Sequence, residues 1–319
     1  MRPIVAMRLG GLAALLAVTG CDNAHAPSDL TPTRAAAQAT GGDVVPLGEF
    51  ALYVPSTPGK LRGVLVALGG PRTRAFVTGE PTGAPFPPVE AALQELGASF
   101  RALADEQRIA LLGAAYFGPT ALPNAIASDQ LILDAIAAGA AASGRPELAD
   151  APILIFASSG GAPEASGFTA RNAERVAGLF LSVPLSVTAL TTELQRQVPT
   201  IVALAEFDAF IDNAALTAAV AANRGSGALW GIAMERGVPH HSLSPAKAQL
   251  TLAWLEAVLD RRINGASGGI RVVPEQSGWL GNPTTGEIST WGAYSGDRST
   301  ANWLPTEAAA EQWRAVAGF

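Results

Sequence analysis

The sequence predicts an α/β protein: a mostly parallel central sheet with helices on both faces. Three observations predict it. From Val44 onward, short apolar runs alternate with longer stretches of helical periodicity, the pattern of strands joined by helical crossovers. Runs such as Gly63–Leu68 (GVLVAL) read as buried strands. One run, Ile153–Phe156, passes directly into a serine set among small residues, Ala157-Ser158-Ser159-Gly160-Gly161, as a strand does when it turns sharply into a helix.

Taken in order, Gly48–Pro55 reads as an early edge strand and Gly63–Leu68 as a buried one. Val89, Leu93, Leu96, Phe100 and Leu103 recur at helical spacing, which predicts an amphipathic helix over 88–106. A strand follows at Ile109–Ala114, a helix at about 129–142, and the strand Ile153–Phe156. Beyond the serine turn come a helix, a strand at Leu179–Val183, a short helical stretch near Glu193 and a strand at Ile201–Ala205. A helix at about 214–223 and a strand at Leu229–Met234 precede a final helix. That helix opens well: Ser244 can cap it, Pro245 suits its first position, and Ala248, Leu252, Leu255 and Leu259 line one face.

The chain begins with Arg2 and Arg8 before an apolar run from Leu9 and has no acidic residue through Gly20, the organisation of a bacterial export signal too short to span a membrane. Val18-Thr19-Gly20-Cys21 resembles a lipobox, which implies cleavage before Cys21 and acylation of that cysteine, the only one in the chain. The competing processing site follows Ala24-His25-Ala26 and would leave Pro27 as the mature terminus. The expected organisation is a signal over 1–20, a lipidated flexible tether over 21–43, a catalytic domain over 44–263 and a Trp-rich extension over 264–319. Loss of residues 1–20 leaves 19 basic against 27 acidic side chains, formally −8. That balance disfavours nucleic acid as a partner. The expected localisation is the cell envelope, with membrane attachment through the lipid alone.

A nucleophile elbow turns so tightly that the positions two before and two after its serine must be small. Ser159 meets both conditions through Ala157 and Gly161; Ser158 fails because Phe156 would occupy its first small position. The competing account is a Ser/Gly-rich loop without chemistry. A serine hydroxyl also needs a base in reach. Of the three histidines, His25 lies in the leader or tether, leaving His240 and His241.

The order of elements over about 44–263 resembles the α/β-hydrolase fold, with Ser159 at its fifth strand and no large cap domain. The resemblance implies a triad acid after the second strand beyond the elbow strand and a histidine after the last strand. Both slots are filled: Glu206-Phe207-Asp208 follows Ile201–Ala205, and Gly237-Val238-Pro239-His240-His241 follows Leu229–Met234. Gly237 matches the G-x-x-H spacing common before the family's histidine, which favours His240 over His241. Asp208 is the preferred acid, with Asp212 and Glu206 as alternatives; Asp212 also suits a helix cap. The oxyanion hole falls to the Gly160 amide and to Gly70 in the Gly69-Gly70-Pro71 turn, Pro71 having no N–H.

These assignments imply a serine hydrolase cleaving carboxylic esters outside the cytoplasm through a Ser159–His240–Asp208 triad and an acyl-enzyme, on a small-molecule or polymer ester. Peptidase or acyltransferase activity on the same triad is the first alternative, and a catalytically silent envelope binding module of this fold the second. No cofactor is implied. A metal site is poorly supported, since adjacent histidines project their rings apart. Four of six tryptophans, Trp279, Trp291, Trp303 and Trp313, fall after Arg262. They predict either an extended segment pinned to the domain by buried indoles or rings that border the acyl cleft.

Overall fold

In the computed structural model, residues 41–69, 73–84, 87–114, 125–265 and 268–319 are described; the Cys21 and Gly70 assignments lie outside them. The apolar runs form eight strands: β1 (Asp43–Leu47), β2 (Phe50–Val54), β3 (Val64–Leu68), β4 (Ala110–Ala114), β5 (Ile153–Ser158), β6 (Val176–Ser182), β7 (Thr200–Ala205) and β8 (Trp230–Glu235). They pair in the order β1-β2-β4-β3-β5-β6-β7-β8. β1 and β2 are antiparallel to their neighbours, and every pairing from β4 through β8 is parallel. The fold is the α/β-hydrolase fold. The run Gly48–Pro55, expected at the edge, forms β2 one place in; the edge strand is β1, whose Asp, Val and Pro residues are largely exposed because only one neighbour covers them.

Two apolar layers sandwich the sheet because strand side chains alternate faces. Val64, Val66 and Leu68 of β3 pack with helices α3 (Ala125–Ser143), α4 (Ala162–Arg171) and α6 (Asn213–Gly225). Leu65 and Ala67 face α1 (Thr73–Thr78), α2 (Pro87–Gln107) and α7 (Pro245–Arg262). A further short helix, α5 (Glu193–Arg196), carries a complete capping box between Thr192 and Gln195. On the second face an aromatic chain runs beneath the elbow: Phe156 of β5 lies 5.2 Å from Phe100 and 5.8 Å from Phe180, which meets Trp254 at 6.0 Å. Such pairs each contribute about 0.5–1.5 kcal/mol beyond their burial, so β5 is anchored near the end where the serine turn begins.

The tail departs from an extended wrap. It forms a three-stranded antiparallel sheet, β9 (Trp279–Gly281) between β10 (Ile288–Thr290) and β11 (Asn302–Leu304), followed by helix α8 (Glu307–Ala317), capped by Thr306. Its place follows from an unpaired backbone. β8 is the last strand, and an open edge exposes donors and acceptors. The Ile232 amide donates to Asn302 Oδ1 at 2.8 Å, and the Ile232 carbonyl accepts from Trp313 Nε1 at 2.7 Å. Trp303 and Trp313 are both 1% exposed. Arg224, on α6, donates to the Ala301 and Arg298 carbonyls and pairs with Glu275, and the Trp291 ring lies within reach of both Arg224 and Arg298.

Candidate active site

Because β5 through β8 are parallel, their C-terminal ends share one edge of the sheet, and the loops leaving β5, β7 and β8 meet there. β5 ends at Ser158, and Ser159 follows in a single helical turn ahead of α4. Ser159 has φ +47, a left-handed conformation that ordinary side chains avoid. Such strain persists only where packing holds it. Here the packing is backbone on backbone: a Cβ at Gly161 would lie 2.6 Å from the Gly69 nitrogen. Only glycine lets the elbow approach the end of β3 this closely, and that contact brings the start of the Gly69 turn against the elbow.

Ser159 Oγ lies 2.8 Å from His240 Nε2, and His240 Nδ1 lies 2.5 Å from Asp208 Oδ2. The imidazole is 5% exposed and the Asp208 side chain fully buried. With the carboxylate accepting from Nδ1–H, the tautomer presents Nε2 as acceptor toward the serine hydroxyl. Three residues named from the sequence are thus brought into one hydrogen-bonded chain.

The alternatives sit elsewhere. Asp212 accepts from the Ala215 amide at 2.9 Å as the cap of α6. Glu206 accepts from the Gly237 amide at 2.8 Å and pairs with Arg236, which holds its carboxyl below the ordinary range, with the Gly237 amide as the larger cause. It fastens the histidine loop instead of addressing the imidazole. Gly237 has φ +71, so a glycine is needed at that turn. His241 is exposed, with its ring centroid 5.0 Å from that of His240. Gly160 directly follows Ser159 and is the middle residue of the turn into α4.

Two contributors escaped sequence reading. Lys247, in the first turn of α7, is 1% exposed. Its ammonium donates to the Ser242 carbonyl at 2.8 Å and forms an ion pair with Glu235 at 3.1 Å, without hydrogen-bond alignment. It therefore ties the two ends of the loop that carries His240. Burial pulls the ammonium below the ordinary lysine range, while the Glu235 and Asp208 charges act against that. Phe210 donates its amide to Asp208 Oδ1 at 2.8 Å, and its ring sits 5.0 Å from the His240 ring. A lysine in a helix's first turn and a loop phenylalanine carry no sequence pattern that marks either role. Among the described residues no cluster of histidine, cysteine and carboxylate side chains could hold a metal ion.

Comparison with known proteins gives likeness in structure only. No family model matches the sequence, and no curated protein matches it. Among solved structures the chain is similar to esterase PE8, at 15% identity over 68% of this chain and 98% of that one, with a TM-score of 0.46. It is similar to Candida antarctica lipase A at 11% identity over 66% of this chain and 73% of that one, TM-score 0.48. The Bacillus cereus carboxylesterase aligns at 14% identity over 66% of this chain and 93% of that one, TM-score 0.44.

Proposed function

We propose that the chain is a serine hydrolase that cleaves carboxylic esters through an acyl-enzyme on Ser159. The observation that carries the reading is the bonded chain from Ser159 Oγ through His240 to the buried Asp208 carboxylate, set at a strained turn after β5. Each part has a task. His240 Nε2 takes the hydroxyl proton as Oγ attacks the ester carbonyl, and Asp208 stabilises the imidazolium that forms. The Gly160 amide and a donor from the turn after β3, assigned to Gly70, receive the negative charge that develops on the carbonyl oxygen. When the adduct collapses, the C–O bond to the alcohol breaks, and the imidazolium returns its proton to the leaving oxygen. Water then enters by the same route: His240 takes its proton, the ester to Ser159 breaks, and the acid is released with the hydroxyl restored.

The test is a pre-steady-state time course with p-nitrophenyl acetate. The wild type gives a burst of p-nitrophenolate up to one equivalent or a linear rate that saturates with substrate, and Ser159→Ala gives neither. Turnover that survives in Ser159→Ala contradicts the reading.

We also propose that the mature protein is exported and lipid-anchored at Cys21. The support is the Val18-Thr19-Gly20-Cys21 sequence behind an apolar run that Arg2 and Arg8 precede. Cys21→Ala then moves the protein from the membrane fraction to the soluble fraction at unchanged specific activity; a wild-type mature terminus at Pro27 contradicts the anchor.

A further inference from the structure

We infer that Phe210 forms the alcohol-side wall of the ester site and selects esters of apolar alcohols. The inference rests on the hydrolase reading and adds to it which half of the substrate is read, and by what.

The argument starts from the proton. As the tetrahedral adduct collapses, the C–O bond to the alcohol breaks, its electron pair stays on oxygen, and Nε2–H of His240 supplies the proton that makes a neutral alcohol. The alcohol oxygen must therefore come within hydrogen-bond reach of Nε2, and the carbon chain attached to that oxygen leaves alongside the imidazole. Whatever flanks the imidazole touches the alcohol portion first.

Phe210 flanks it. The two ring centroids are 5.0 Å apart at 62°, and the phenyl also meets His241 at 5.8 Å. Its position is fixed by the triad itself: Asp208 uses Oδ2 for His240 and Oδ1 for the Phe210 amide. One carboxylate thus orients both the base and the phenyl beside it. Nevertheless Phe210 is 66% exposed, as is Phe207 on the same short turn. A phenyl of this exposure, on a residue whose amide is held by a buried carboxylate, stands edge-on to the buried His240 imidazole and presents an apolar face beside it. No charged group is bonded to that face among the described contacts, so the ligand chemistry it fits is alkyl or aryl.

The test uses the full chain and two ester series followed by pH-stat. In one, acetate is esterified with methanol, butanol, hexanol and octanol; in the other, methanol is esterified with acids of the same lengths. Half-covering a methylene contributes about 0.4 kcal/mol, a rise in kcat/KM of about twofold for each one added. Wild type shows that rise along the alcohol series. Phe210→Ala flattens the alcohol series while leaving the slope of the acyl series as in wild type, and Phe210→Leu keeps part of the alcohol slope. A drop by one common factor, with both slopes preserved, means that Phe210 only steadies His240 and overturns the assignment. Flattening of the acyl series, or a wild type indifferent to alcohol length, also overturns it. If wild type cleaves no ester and Ser159 takes no fluorophosphonate label, the hydrolase reading fails and the assignment falls with it.

Discussion

Gly161→Ala is the sharpest test of how this elbow is built. The added Cβ would lie 2.6 Å from the Gly69 nitrogen and 2.9 Å from both the Gly69 Cα and the Leu68 carbonyl carbon. Ordinary contact begins at 3.4 Å, so the chain must open by about 0.8 Å, at the level of overpacking that costs about 1–3 kcal/mol. None of the three atoms can rotate away. All belong to the backbone where β3 ends, and Leu68 is locked opposite Ala157 in the β3–β5 pairing. The strain is relieved only by lifting the elbow from the sheet or by displacing Gly69, and lifting the elbow moves Ser159 relative to His240. Misplacement near 1 Å costs about 10²-fold in rate. The assay pairs kcat/KM for p-nitrophenyl acetate with thermal unfolding. Gly225→Ala serves as control, since nothing lies within 4 Å of its Cβ at the exposed end of α6, where alanine is favoured by up to about 1 kcal/mol. If Gly161→Ala keeps wild-type kcat/KM and melting, the close approach of elbow and β3 is not what holds the serine.

Further outcomes follow from the same contacts. Lys247→Met strands Glu235 as a buried carboxylate and should cost about 3–5 kcal/mol in denaturant midpoint analysis, most of it recovered by adding Glu235→Leu. Trp303→Ala and Trp313→Ala each empty a fully packed indole site and should cost about 3–5 kcal/mol with KM unchanged, whereas a rise in KM would place the ring at the cleft. Glu90 is held down to a pKa of about 2 chiefly by the Thr82 hydroxyl, with the Thr82 and Ala84 amides adding to it. A depressed carboxyl lends stability that is complete above its ordinary value of 4.5 and is lost as pH falls through about 2. Amide exchange at Thr82 and Ala84 should therefore stay protected to about pH 3, while Glu90→Gln loses part of that protection at all pH values.

The sequence exposed what depends on local composition. Continuous apolar runs marked β3 through β8, and the small residues at Ala157 and Gly161 selected Ser159 over Ser158, because steric room is a property of neighbours in the chain. The histidine and aspartate could be located only to loops; the choice among His240, His241, Asp208, Asp212 and Glu206 depends on side-chain direction, which spacing does not specify. The six-residue α1 is too short for a helical period to emerge. β9, β10 and β11 are three residues each, too brief to alternate, and they owe their form to the open edge of β8. Helix α8 is absent from the sequence reading although Thr306 and Glu307 open it and Ala310, Trp313 and Ala317 share a face, because the surrounding Gly, Pro and Ser suggest an extended segment. Lys247 stands as a charged residue in a helix's first turn, a place that normally faces water, and only the tertiary fold turns it inward onto Glu235.

The central claim, that Ser159 is a nucleophile activated by His240, is tested most directly by locating a covalent adduct. Incubation with a fluorophosphonate followed by peptide mass spectrometry should find the phosphonyl group on Ser159 in wild type and on no residue in Ser159→Ala. His240→Ala should slow labelling by orders of magnitude while His241→Ala labels at a rate nearer to wild type, because the His240 imidazole is bonded to Ser159 Oγ. An adduct on Ser158, or labelling of Ser159 at the wild-type rate without His240, would contradict the account.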